Sequence, residues 1–367
     1  WAIAARLEHS SAPLPFCSRA LWLGRTNHDW ASTTRCDGCS ARSPGRFLHI
    51  PRALTIEAEE VNFGVDSVAG MPQLVARGLT IDIDRPMIMA VINATPDSFS
   101  DAGKYATVEA RMERTREVLA QGADILDIGG QSAITGVPEI SEDEEIERIT
   151  PVIEWVATNT DAIMSIDTYR PAVAAAALDA GAHIINDISG LLYPELADVV
   201  ASRGAGYILM HNRGRPKVRL TDANLYEDVV ADVLSFMDDK LAVLSAAGVS
   251  RQQVIVDPGP DFAKTPAQTV DVLRHVSKLL EYRRPVLFPV SRKDFIGAIT
   301  GRPPRERLSG TLAAIAHTLT LTRAGIYRVH DIEEVRNFLD VWDVLQGHAE
   351  LGSDVLLDRS LWRAPTT

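Results

Sequence analysis

Between residues 87 and 347 the chain alternates two kinds of pattern. Short runs dense in apolar and β-branched residues lie at 87–94, 124–130, 162–168, 183–189, 206–212, 254–259, 285–291 and 326–331. Longer amphipathic stretches, such as 107–121, 142–157, 171–180 and 225–247, separate them. Short apolar runs without strict alternation read as strands buried on both faces, and the longer stretches read as helices. Several helices are expected to end on glycine (Gln121-Gly122, Ala180-Gly181, Ala247-Gly248, Ala324-Gly325), which readily adopts the left-handed conformation of a C-cap. Eight strand–helix units in roughly 260 residues predict an α/β fold, a parallel (β/α)₈ TIM barrel with an N-terminal extension. A doubly wound open sheet is the alternative, but no G-x-G-x-x-G follows the first run.

The extension breaks the pattern. Residues 1–52 keep no period and carry seven arginines against three acids (Glu8, Asp29, Asp37); a disordered segment is expected there. Residues 53–86 are expected as a lead-in, 87–350 as the barrel and 351–367 as a C-terminal tail. Within the lead-in, Leu79-Thr-Ile-Asp82 alternates like a strand and is expected to cover the barrel's N-terminal face. The arginine-rich extension also suits an organelle transit peptide, though no amphipathic helix accompanies it. Cys36-Asp-Gly-Cys39 has C-x-x-C spacing, with Cys17 and His28 nearby; a structural zinc takes four ligands, so this pair alone is a weak signal.

Charge and cysteine usage narrow the partners. A net charge of −12 argues against nucleic acid and anionic lipid as partners. No apolar run approaches the ~20 residues that cross a bilayer. The three cysteines all lie in the extension, so the barrel needs no disulfide, which suits a cytoplasmic location.

Barrel enzymes gather their functional groups at the C-terminal ends of the strands. Those ends carry Asn93; Asp127 with Gly129-Gly130; Asp167; Asn186 and Asp187; His211; Asp257; Lys293; and Arg328 with His330. A single aspartate after a strand often only caps the next helix. Apolar strands that finish in polar residues eight times over are not explained by packing, and a polar ring around a small-molecule site is expected. Asp167, Asn186, Asp257 and Lys293 combine acceptors and donors as an aminopyrimidine edge requires. Lys293, Arg328 and His330 are expected to supply the positive charge a diphosphate uses. Asn93 and the following Thr95-Pro-Asp-Ser98 offer oxygen ligands for Mg²⁺, which keeps water and substrate phosphates in its shell. No GxxxxGK[ST] loop, zinc-spaced cluster or G-x-S-x-G elbow occurs, which disfavours P-loop hydrolysis and serine-triad acyl transfer.

The stretches that hold these residues resemble the signatures of the dihydropteroate synthases. They are Asn93-Ala-Thr-Pro-Asp-Ser-Phe-Ser-Asp101, Asp127-Ile-Gly-Gly130, Asp167-Thr168, Ile185-Asn186-Asp187 and Leu209-Met210-His211, followed by Asp257-Pro258-Gly259, Ser291-Arg292-Lys293 and Arg328-Val329-His330-Asp331. The resemblance spans the barrel and none of residues 1–52. It implies a transferase of folate biosynthesis that joins 6-hydroxymethyl-7,8-dihydropterin diphosphate to p-aminobenzoate and releases diphosphate. It further implies a Mg²⁺ cofactor held at Asn93, and a homodimer. By resemblance, Asp167, Asn186, Asp257 and Lys293 bind the pterin, and Asn93, Arg328 and His330 bind the diphosphate. Catalytic roles fall to Asp101, Lys293 and Arg328. The acceptor side comprises Phe99, Ala133, Ile134, Thr135, Phe262, Lys264 and Asp294.

Two departures fall on that acceptor side. Where the family's second loop reads Gly-Gly-Glu-Ser-Thr-Arg-Pro-Gly, this chain has Gly129-Gly130-Gln131-Ser132-Ala133-Ile134-Thr135-Gly136. Ile134 cannot replace a guanidinium that holds an anion. After Ser-Arg-Lys the family commonly has serine near the p-aminobenzoate carboxylate; here Asp294 stands. Two carboxylates about 4 Å apart repel by ~1 kcal/mol in water, unless Asp294 turns away to cap the next helix. Arg213 and Arg215 are candidates to restore the missing charge. The alternatives to an ordinary synthase are a pterin transferase with a different amine acceptor and a catalytically weak pterin-binding partner protein. The corrinoid methyltransferases, another pterin-binding barrel type, fit residues 291–293 and 328–331 less well.

Overall fold

A computed structural model describes residues 72–93, 107–131 and 137–362. The expected disorder of 1–52 lies outside the described residues. The first elements form an antiparallel hairpin, β1 (Gln73–Ala76) and β2 (Leu79–Asp82). Arg77 and Gly78 make its turn with φ of 50° and 80°, as a tight two-residue hairpin loop requires. The strand expected at 79–82 is present; its partner β1 was not read from the sequence.

Eight parallel strands then close into a barrel: β3 (Met87–Asn93), β4 (Ile125–Gly129), β5 (Ile163–Asp167), β6 (Ile184–Asp187), β7 (Gly206–Met210), β8 (Val254–Asp257), β9 (Val286–Phe288) and β10 (Gly325–Val329). Each pairs with its neighbour in sequence, and β10 closes on β3 with Ile326 opposite Met87. The surrounding helices are α1 (Val108–Ala120), α2 (Glu142–Asn159), α3 (Pro171–Asp179), α4 (Glu195–Arg203), α5 (Val229–Ala246), α6 (Pro266–Arg274), α7 (Ser277–Leu280), α8 (Asp294–Thr300), α9 (Leu308–Leu319) and α10 (Ile332–Leu345).

Strand alternation sorts each run into two faces. Outward residues such as Leu126, Ile185, Val256, Phe288 and Tyr327 pack with helix residues such as Ile149, Val152, Val173 and Val335 in the main core. Inward residues Met89, Ile125, Ile184, Ile208, Ile255, Leu287 and Ile326 form a second cluster that fills the barrel floor. The hairpin seals it from below, because Leu74, Ala76 and Ile83 belong to the same cluster. Arg284 ties the hairpin down, donating to the carbonyls of Gln73 and Val254.

Helix ends follow the sequence with two differences. Gly122, Gly181 and Gly248 take φ of 93°, 122° and 91° behind α1, α3 and α5. Gly325 does not cap a helix: α9 ends at Leu319, and Gly325 opens β10. A Cβ there would meet the Tyr327 hydroxyl at 3.0 Å and the Phe288 ring at 3.1 Å, so close packing rather than a turn requires the glycine. The stretch 225–247 is helical only from Val229, because the Asp228 carboxylate accepts from the Val230 and Ala231 amides and starts α5 there.

Candidate active site

The residue two positions beyond each inward floor residue points into the barrel mouth. Ile125 leads to Asp127, Ile184 to Asn186, Ile255 to Asp257 and Ile326 to Arg328. One period of the strand therefore converts an apolar floor into a polar layer. Arg328 is its centre: Nε donates to Asp127 Oδ2 at 2.6 Å and Nη2 to Asp167 Oδ2 at 2.9 Å. Asn186 Nδ2 lies 3.3 and 3.2 Å from the two Asp127 oxygens. Asp127 is fully buried, and these bonds offset the cost of taking its carboxylate away from water. Burial pushes Asp167 upward, with Asp127 adding to the rise and Arg328 opposing it.

Asp257 shares this layer. Its Oδ1 accepts from the Gly259 amide at 2.7 Å. Burial raises its pKa to about 6, against the pull of that amide and of Lys293, Lys264 and Arg328. Lys293 follows Arg292, whose φ of 57° and ion pair with Asp331 turn the Ser-Arg-Lys segment. The Lys293 ammonium then lies 4.7 Å from the centre of the Phe262 ring, and desolvation lowers its pKa. Phe262 packs on a small apolar group, Tyr169, Ile188 and Met210. The mouth thus combines acceptors, cations and an apolar platform, the mixture that holds a planar heteroaromatic ligand.

Three strand-end residues differ from expectation, among them His211, which is fully buried between Asp232 and Lys264. His330 is not a cation: burial, then Arg328 and Arg292, push it down to about 4, and its Nδ1 meets Ser291 Oγ at 3.0 Å. Asp187 is not part of the ring, because its carboxylate accepts from the Ser189 and Leu191 amides and the Tyr207 hydroxyl. Asn93 ends β3 opposite Gly129 and is half-buried. Phe99, Asp101, Ala133, Ile134 and Thr135 lie outside the described residues.

A cleft of about 280 Å³ is lined by residues including Arg215, Arg219, Lys293 and two of the expected acceptor-side residues, Phe262 and Asp294. Asp294 is the first residue of α8, and its carboxylate is paired with Arg219 at 2.8 Å and Arg307 at 3.2 Å. Arg219 was not identified from the sequence, since nothing local marks a partner 75 residues away. Arg213 does not offer charge to the mouth, because it grips Asp232 through Nε and Nη2 at 2.9 and 3.0 Å. Lys264 is fully buried below the cleft, not exposed in it.

The sequence profile of the pterin binding enzyme family matches residues 89–330. Dihydropteroate synthase of Escherichia coli (strain K12) is 36% identical over 262 residues, covering 71% of this chain and 92% of the relative. The crystal structure of the Yersinia pestis dihydropteroate synthase with a sulfonamide drug complex superposes with a TM-score of 0.70 at 35% identity, over 76% of this chain and 100% of that one. Xanthomonas albilineans dihydropteroate synthase with 4-aminobenzoic acid gives 0.69 at 38% identity, over 75% and 98%. The chain belongs to the pterin-binding enzymes, as a transferase of the dihydropteroate synthase type.

Proposed function

We propose that the protein joins 6-hydroxymethyl-7,8-dihydropterin diphosphate to p-aminobenzoate. The observation that carries this reading is the buried polar layer of Asp127, Asp167, Asn186, Asp257 and Arg328 set directly on an apolar floor. Asp257, Asp167 and Asn186 accept from or donate to the aminopyrimidine edge, and Lys293 meets its acceptor atoms. Arg328 then faces the diphosphate, with His330 as a neutral hydrogen-bond donor through its ring.

The reaction breaks the bond between the pterin methylene and the diphosphate oxygen, and that electron pair leaves with diphosphate. The arylamine lone pair forms the new C–N bond, and its proton passes to solvent. The chain's contribution is a fixed array that holds the electrophile and meets developing charge on the leaving group. Among the described residues, no group of three or more His, Cys, Asp or Glu converges as a metal cage. The single amide oxygen of Asn93 suits an ion that keeps its water and arrives with phosphate. Mg²⁺ held by Asn93 and the substrate would supply charge neutralisation to the leaving diphosphate.

The pairing of Asp294 with Arg219 and Arg307 favours an acceptor with a carboxylate over one without, because it offsets the repulsion that Asp294 alone would exert. The test is incubation with the dihydropterin diphosphate and Mg²⁺, with and without p-aminobenzoate, while diphosphate and pterin adducts are followed. Turnover to dihydropteroate is expected. Pterin binding without any adduct would favour the weak partner protein, and no pterin binding would sink the reading.

Affinity for 6-hydroxymethyl-7,8-dihydropterin should fall in acid. The ring donates to ionised Asp257, whose pKa is about 6, and to Asp167, which burial also raises, so affinity falls as pH drops through about 7 and declines by tenfold or more per unit below about 6. Calorimetric titrations between those limits measure this, and a flat profile would remove Asp257 from the contact. The homodimer is supported by an apolar cleft between α6, α8 and α9 that includes Leu273, Phe295, Ile296 and Ile299, with Ile299 70% exposed. Sedimentation equilibrium returning a single-chain mass at micromolar concentration would refute it. Among the described residues no helix is long and apolar enough to cross a membrane.

A further inference from the structure

Beneath the acceptor cleft lies a group of charges with almost no access to solvent. Lys264 is 1% exposed and His211 is fully buried. The Lys264 ammonium donates to His211 Nδ1 at 2.7 Å, to the Gly259 carbonyl at 3.0 Å and to the Phe262 carbonyl at 3.1 Å. All three of its protons are engaged. Behind it, His211 Nε2 meets Asp232 Oδ1 at 2.8 Å. A carboxylate only accepts, so Nε2 carries the proton and Nδ1 turns its lone pair to the lysine.

The loop gathered by this lysine is strained. Gly259, Asp261 and Ala263 take φ of 62°, 66° and 49°, and the last two carry a Cβ that disfavours the left-handed region. A Cβ on Gly259 would stand 2.1 Å from the His211 carbonyl oxygen, so the loop backbone rests directly on the end of β7. The Asp261 carboxylate accepts from the Asp294 amide at 2.5 Å, and the Phe262 ring lies under Lys293. The conformation is over-determined by partners from three elements, and the lysine supplies the central ones.

We propose that Lys264, backed by the His211–Asp232 pair, is a positioning residue for the acceptor: it holds the 259–263 loop so that Phe262 presents its ring beside Lys293. The proposal rests on the acceptor-side reading of this cleft. Lys264 is not a catalytic residue, since its ammonium faces three carbonyls and an imidazole. Burial lowers its pKa to about 7, with Asp257, Asp232 and Asp261 opposing and Lys293 adding to the fall. Burial, then Lys264, keeps His211 neutral, against the pull of Asp232. A neutral amine has two protons where the ammonium has three to share among these acceptors, so the acceptor KM rises as pH climbs through about 7. Stability moves the other way: above about pH 7 the unfolded chain holds more protons on this lysine than the folded one, so its contribution to stability rises with pH.

Full-length wild type, Lys264→Met, Lys264→Arg and Asp232→Asn are compared by kinetics, by titration with 6-hydroxymethyl-7,8-dihydropterin and by amide exchange over residues 259–264. Lys264→Met is expected to raise the acceptor KM about tenfold, to remove its rise above pH ~7, and to speed exchange of that segment. Its pterin affinity stays within about twofold. Lys264→Arg recovers part of the loss. Asp232→Asn keeps the lysine but removes a carboxylate that raises its pKa, so the KM rise moves to lower pH. An unchanged acceptor KM and pH profile in both Lys264→Met and Asp232→Asn would overturn the proposal, as would pterin and acceptor affinities falling in step. If Lys264→Met does not fold, the displaced pH profile of Asp232→Asn decides alone. Wild type without turnover would defeat the functional reading instead, and unchanged amide exchange in Lys264→Met would still overturn the lysine's role.

Discussion

Arg328→Met is expected to destabilise the fold by about 3 kcal/mol and to end turnover. The guanidinium is the cationic partner of fully buried Asp127 and a direct partner of Asp167, at 2.6 and 2.9 Å. Removing it leaves Asp127, among the described residues, with the Asn186 amide alone, in a place where its carboxylate has no access to solvent. The side chain of Arg328 is itself 23% exposed, so the lower end of the range for broken buried pairs applies. Asp127→Asn combined with Arg328→Met removes the stranded charge and should recover roughly half of the lost stability, without restoring activity. Urea midpoints and diphosphate release check both parts. A single variant that loses less than about 1 kcal/mol would mean that the buried Asp127 carboxylate does not depend on the guanidinium.

The second large effect separates two adjacent residues. Lys293→Ala should weaken dihydropterin binding at least 100-fold, about 2.7 kcal/mol, because it removes the ammonium beside Asp257 and above the Phe262 ring. The loss combines a charge-assisted bond with an unbalanced buried carboxylate. Asp294→Ser should leave dihydropterin affinity within about twofold and change the acceptor KM by a few-fold. Its carboxylate is 47% exposed and already paired with Arg219 and Arg307, so solvent screens much of its field. Direct titration with pterin and kinetics against p-aminobenzoate read the two effects independently. Equal losses of pterin affinity in both variants would refute the division of the mouth into two halves.

The barrel was legible because its signal is local and repeated. Strands such as 125–129 and 254–257 are buried on both faces and therefore read as continuous apolar runs, and glycines such as Gly122 and Gly248 marked helix ends. The polar layer was legible for a related reason: Asp127, Asn186, Asp257 and Arg328 each follow an inward isoleucine by two residues, so the strand period puts them in the mouth. Charge states were less legible. His330 looked like a cation beside a diphosphate, but its protonation depends on burial next to Arg328 and Arg292, which no local pattern encodes. Asp187 looked like its neighbour Asn186, yet one residue along a strand is the opposite face, where Tyr207 and two amides occupy it.

Periodicity and motif spacing alone determined the architecture, the end of the barrel that carries chemistry and the family to which the chain belongs. Only the tertiary structure decided which strand-end groups hold each other. Arg328 meets Asp127 and Asp167 across 201 and 161 residues of chain, and Asp294 meets Arg219 across 75. Closure of the barrel creates those contacts. The same closure removes Lys264 and His211 from water, and that desolvation turns an expected acceptor-side lysine and a strand-end histidine into the buried support of a loop.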